Sequence, residues 1–142
     1  MGRRHRAREA AVQCLYQWGL TGSDPERVLA GYWESRGPVD EELVRFAEEL
    51  VHGVVERADE IDAMISDQTE HWRMDRLGVV EKSILRLGVY ELVFESDVPP
   101  AVAIDEAVEL AKRFSGPESG PFVNGVLDGI RQRVGAGSMS DT

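Results

Sequence analysis

The stretch that most restricts the fold is SILRLGVYELVF, residues 83–94, which is apolar on nearly every side when wound as a helix. A helix of that kind is stable only when other elements surround it. The spacing therefore predicts a central helix, beginning near residue 75 and ending at DVPP, where two prolines in a row cannot continue it. Whatever else the chain forms must pack around this segment.

The remaining apolar residues keep helical period. Ala7, Ala10, Cys14, Leu15 and Trp18 recur at steps of three and four, which predicts an amphipathic helix over residues 5–20, stopped near Gly19 or Gly22. Its other side carries Glu9, Gln13, Tyr16 and Gln17. Ser23-Asp24-Pro25 reads as a cap followed by first-turn proline, opening a short helix with Val28, Leu29, Tyr32 and Trp33 inward. SRGPVD breaks it. From Asp40 the pattern runs to Ile65 as one long helix or as two broken near Ala58-Asp59, with Asp40, Glu41 and Glu42 where the helix dipole favours acids. AVAIDEAVELAKRF supplies the next helix, SGPESG a turn, and Pro121 opens a last helix to about Val134. The tail, residues 135–142, has nothing to bury and is expected to be disordered. No segment alternates with period two over strand length. The sequence thus predicts an all-α, compact single-domain bundle of about seven helices spanning residues 5–134.

Length and composition agree. At 142 residues, with 42% hydrophobic and 30% charged residues, the chain has the makeup of a globular domain. No apolar run reaches the roughly 18 residues of a membrane span, and no signal-peptide hydrophobic region follows the N-terminus. A cytoplasmic location is expected. The single cysteine, Cys14, lies among apolar neighbours and is read as core.

Charge is distributed unevenly. The chain carries −10 overall, yet Arg3, Arg4, Arg6 and Arg8 put +4 into the first eight residues, leaving −14 for the rest. Cations at a helix N-terminus oppose its dipole, by about 0.3–1 kcal/mol each when exposed. An arginine-rich arm at residues 1–8 therefore points outside the fold, to an anionic polymer whose phosphates or bases arginine can fork or stack on. Tyr16, on the polar side of the same helix, offers an aromatic surface for an unstacked base. Its plainer role is a core tyrosine with a wet hydroxyl.

A second group lies on the central helix. Asp75, Gly78, Lys82 and Arg86 follow steps of three, four and four and so form one stripe. Gly78, read as lying within that helix, would let another backbone approach. Gly88, Gly125 and Gly129 suit helix packing. Ser119 is a candidate cap whose neighbouring backbone N–H groups suit an anion, and Phe122 is expected to be partly exposed.

No catalytic or metal motif accompanies these groups. His5, His52 and His71 are far apart, no H-x-x-x-H or C-x-x-C occurs, and no glycine-rich loop joins a strand to a helix. The acidic clusters, such as Asp59-Glu60-Asp62, fit solvated helix faces. No enzyme activity and no cofactor are expected.

Four stretches in order, RRHRAREAAVQCLYQW, GVVEKSILRLGVYEL, SDVPPAVAIDEAVELAKRF and FVNGVLD, together resemble the NusB family of bacterial transcription antitermination factors. The resemblance spans residues 3–128, with residues 20–74 matching in helical pattern only. It implies an all-helical factor that pairs with the ribosomal protein NusE, binds single-stranded boxA RNA in nascent ribosomal RNA leaders, and joins the other Nus factors and RNA polymerase. It also implies RNA contacts at Arg3, Arg4, Arg6, Arg8, Tyr16, Lys82, Arg86 and Phe122, and partner contacts at Tyr16, Asp75, Gly78, Glu81 and Glu118. Gly120-Pro121 and Asp105 depart from the family pattern. Relatives include monomers and dimers, and the sequence leaves homodimer formation open.

Two rival readings remain. A similar domain begins some ribosomal RNA cytosine methyltransferases, but those need a following catalytic domain, and the length here leaves no room for one. The other rival is an adaptor with this fold and no selective RNA binding.

Overall fold

The computed structural model describes residues 2–37, 39–69 and 77–140. Among these residues the chain forms seven α-helices and no strand. They are α1 (Arg3–Thr21), α2 (Pro25–Glu34), α3 (Glu41–Glu56), α4 (Ala58–Gln68), α5 (Val79–Val89), α6 (Pro100–Ser115) and α7 (Ser119–Ser140), and α5 continues into a π-helical turn, Tyr90–Phe94. The all-α expectation holds.

Local chemistry sets most of the boundaries. Gly22 adopts the left-handed conformation at φ 67° and returns its N–H to the Trp18 carbonyl, which closes α1. Asp24 and Asp40 each accept a backbone N–H, from Glu26 and Glu42, and so cap α2 and α3. The long pattern after Asp40 resolves as two helices, parted at Arg57. Helix α7 carries its backbone through Gly135 to Ser140, and residues 141–142 of the expected tail lie outside the described residues.

Helix α5 is the hub, packed against α1, α3, α4, α6 and α7. Ile84, Leu85, Leu87 and Val89 are buried there with Leu15, Leu50, Ile61, Leu110 and Leu127 from the surrounding helices. Gly88 allows this crowding, since a Cβ there would sit 2.8 Å from Leu127 Cδ1 and 3.3 Å from Ala107 Cβ. Gly53 plays the same part for α3, where the Tyr90 ring occupies the space a Cβ would need. Gly129 lies against Gln68, whereas a Cβ at Gly125 would meet nothing within 4 Å, so that glycine is not a packing residue. A smaller seam of Ala7, Ala10, Leu43 and Ala47 joins α1 to α3. Cys14 is buried, and that burial pushes its thiol up to about 12.

Candidate nucleic-acid interface

The four N-terminal arginines lie on the first turns of α1, and the fold divides them. Arg8 turns inward. It is 4% exposed and forks onto Glu91 of the π turn, Nε to Oε1 at 2.8 Å and Nη2 to Oε2 at 2.9 Å. Burial alone would lower the Arg8 pKa, but the Glu91 hydrogen bonds and the carboxylates of Glu91 and Glu106 outweigh it and hold the guanidinium charged. Arg8 is therefore held inside the fold on Glu91, apart from the surface where the sequence reading placed it.

The other three remain on the surface. Arg3 is clasped by the first turn of α3, with Nε bonded to Asp40 and Nη1 to Glu42 at 2.7 Å. The Arg3 hydrogen bond, helped by the Glu42 backbone N–H, lowers the Asp40 pKa, and Asp40 in turn raises that of Arg3. Arg4 lies 5.0 Å over the centre of the Phe46 ring. Arg6 is exposed and has no ion-pair partner among the described residues. His5 meets Glu106 at 3.0 Å and Glu9 forms an ion pair with the Arg113 Nε at 2.7 Å, so α1 is also fastened to α6.

The stripe expected on the central helix is only partly assembled. Gly78 is not inside a helix but precedes α5 as its cap residue, in extended conformation at φ −66° and ψ 155°. Asp75 lies outside the described residues. Lys82 is half-buried with no ion-pair partner among the described residues. Arg86 is bound within the fold instead: it forks onto Asp62 of α4 at 2.8 and 2.9 Å and lies 5.4 Å over the Trp18 ring. Direct RNA contact by Arg86 would require breaking that fork. Glu81 accepts a 3.4 Å hydrogen bond from Ser115, which joins α5 to the end of α6.

At the start of α7, Glu118 is exposed, while Phe122 is half-buried against the core. Ser119 is the first helical residue rather than the residue before the helix, and its hydroxyl donates to the Ser115 carbonyl. It is not the acceptor cap the sequence suggested.

Tyr16 is 39% exposed and borders a groove of ≈ 580 Å³ between α1 and α2. The floor and walls include Val12, Tyr32, Val80 and Phe114, and the polar rim is Gln13, Gln17, Ser35 and Arg36. The sequence reading did not anticipate Arg36 or the outward role of Tyr32. The available signal was the short step from Tyr32, in the last turn of α2, to Arg36 just past its end, close enough for an arginine to fold back over an aromatic ring.

Among the described residues, no group of three His, Cys, Asp or Glu side chains could hold a metal ion. No helix among them is long and apolar enough to cross a membrane.

Fold and surface together define a class: an all-α domain, wound about a buried central helix, whose first helix presents arginines and an aromatic residue to solvent. Comparison with known proteins narrows this further. The chain belongs to the NusB family, whose family model matches residues 5–132. It is 45% identical over 135 residues to the transcription antitermination protein NusB of Sorangium cellulosum, covering 95% of this chain and 96% of that one. Its structure resembles that of antitermination factors NusB and NusE in complex with dsRNA, with TM-score 0.85, 34% identity, and 94% and 98% of the two chains covered. It likewise resembles T. maritima NusB, with TM-score 0.83, 39% identity, and 93% and 92% covered.

Proposed function

We propose that this chain is a transcription antitermination factor that binds single-stranded boxA RNA in nascent ribosomal RNA leaders together with the ribosomal protein NusE. In this reading it joins the other Nus factors on RNA polymerase, acts in the cytoplasm, and works by binding rather than by catalysis, without a cofactor. The observation that carries it is the exposed cluster of Arg3, Arg4 and Arg6 on the first helix of an otherwise strongly acidic chain. Family membership and the kinship with a NusB–NusE–dsRNA complex support the same assignment.

Roles divide among the residues. Arg3, Arg4 and Arg6 meet phosphates, with Tyr16, Lys82 and Phe122 beside the RNA path, while Tyr16, Gly78, Glu81, Glu118 and the undescribed Asp75 face the protein partner. The acidic remainder favours encounter with a basic ribosomal protein. With Arg8 in the core, three arginines at about 0.7 each give a single-strand salt slope of roughly −2. RNA affinity of the chain alone is then weak and rises when the partner adds contacts.

The test is fluorescence anisotropy of a boxA-like single-stranded RNA, titrated with this protein alone and with its own NusE, at two salt concentrations. Selective binding tightened by the partner is the expected result. Equal, unselective binding under both conditions overturns the reading. The adaptor alternative draws on one observation, the neutralisation of Arg3 by Asp40 and Glu42. Replacing Arg3, Arg4 and Arg6 while sparing Arg8 separates the two. Loss of RNA binding with NusE binding intact supports the antitermination reading, and no change supports the adaptor.

A further inference from the structure

We propose that the groove between α1 and α2 is a base-holding site, which takes one unstacked nucleobase of the bound single-stranded RNA and lays it against the Arg36 guanidinium. The inference rests on the RNA-binding reading and deepens it.

The first support is a prepared platform. The Arg36 Cζ lies 3.6 Å over the centre of the Tyr32 ring. Its nitrogens donate to Gln13 Oε1 at 3.1 Å, to the Tyr32 carbonyl at 3.2 Å and to Ser35 Oγ at 3.0 Å. A guanidinium held by three hydrogen bonds above an aromatic ring is ordered before any ligand arrives, and a nucleobase stacks on such a cationic plane as it does on an aromatic one. The ordering cost of binding is correspondingly reduced.

The second support is the pattern of polar groups around that plane. Gln13 uses its oxygen on Arg36, which leaves its amide N–H groups to donate, and the Gln17 amide on the same rim can both donate and accept. These are the groups that read the edge of an unpaired base. The Tyr16 ring borders the opening, and ≈ 580 Å³ falls within the roughly 300–1,000 Å³ range of sites for single small ligands.

The third support is charge. In a chain of net −10 the groove is lined by one arginine and no carboxylate. A basic protein segment would find no counter-charge there, whereas an RNA strand meets no repulsion. Arg6 lies seven residues before Gln13, hence on the same face of α1 and about 10 Å away along the helix. A strand whose phosphate is held by the unpartnered Arg6 can thus deliver a nearby base to the groove.

The test uses the full chain with its NusE partner and a boxA-like single-stranded RNA carrying an abasic site at one position at a time. In the wild-type protein, removing the one seated base should weaken binding about tenfold. Arg36→Gln should weaken intact RNA by a similar factor, and the same abasic site should then cost Arg36→Gln nothing more. 2-Aminopurine at the coupled position should be quenched by the wild type and not by Arg36→Gln. Intact RNA bound equally by wild type and Arg36→Gln overturns the proposal. So does an Arg36→Gln loss that adds to every abasic loss alike, or one confined to NusE binding, which would mark the groove as a protein site. Arg6→Ala serves as the reference: sensitivity to Arg6→Ala with indifference to Arg36→Gln refutes the groove alone, whereas indifference to both refutes the RNA reading beneath it.

Discussion

Arg8 and Glu91, 83 residues apart, face each other across the interior as a forked ion pair, each less than 5% exposed. The pair ties the start of the first helix to the end of the central one. Removing one partner strands a buried charge, which costs far more than the intact pair contributes.

Arg8→Ala should therefore destabilise the fold by about 3–5 kcal/mol. At roughly 2–4 °C per kcal/mol for a domain of this size, thermal unfolding should fall by about 10 °C. Arg8→Met combined with Glu91→Leu should recover most of that loss. An unchanged melting temperature for Arg8→Ala would refute the structural role given to this arginine.

The three surface arginines should contribute unequally to RNA binding. Arg6→Ala should reduce the magnitude of the salt slope by about 0.7. Arg3→Ala should change it less, because Asp40 and Glu42 already neutralise that guanidinium. Asp40→Asn loosens the clasp and should tighten RNA binding. Salt titrations of the three variants, monitored by anisotropy, give the slopes directly; equal slopes for Arg3→Ala and Arg6→Ala would contradict this division.

Stability should decline in alkaline solution. Burial raises Cys14 from 9.0 to about 12, and burial together with Glu95 raises Tyr90 from 10.0 to about 12. Both groups hold their protons more tightly in the folded chain, so their contribution is full below pH 9 and is lost as pH rises toward 12. Urea unfolding midpoints between pH 8.5 and 11 should fall more steeply for the wild type than for Cys14→Ala. Parallel curves would show that the thiol is not linked to folding.

Two glycine substitutions should move stability in opposite directions. At Gly53 a new methyl group meets the Tyr90 ring, and such overpacking costs about 1–3 kcal/mol. At Gly125 it meets nothing within 4 Å and should gain up to about 1 kcal/mol of helix propensity. Chemical denaturation of Gly53→Ala and Gly125→Ala would reveal the contrast, and losses of similar size would count against the packing described.

Periodicity made the helices legible, since each buries one stripe and leaves the other wet. Residues 83–94 identified the hub because few sequences are apolar all round without being enclosed. The fate of the arginines was less accessible, because clustering along the chain says nothing about direction around the helix. A signal existed all the same: Arg8 shares a face with Val12 and Leu15, and Glu91 with Ile84 and Gly88, so two opposite charges each sat on a buried stripe. Pairing them needed the third dimension. The Arg86 fork was hidden for a similar reason, since its partner Asp62 belongs to a segment that matched the family only in helical pattern. Gly78 misled because a glycine cap followed by Glu81 is a weaker start signal in DRLGVVEK than the apolar period that runs through it.

The Arg8 fork also has a mechanical meaning. Under the proposed RNA binding, tension on a strand held near Arg6 would run down α1, where an ordinary helix end would peel away one turn at a time. Here the load reaches Arg8 within two residues and passes through two charged hydrogen bonds stretched side by side into the most enclosed helix of the molecule. The first turns of α1 are thereby rooted in the whole domain rather than in their own helix alone.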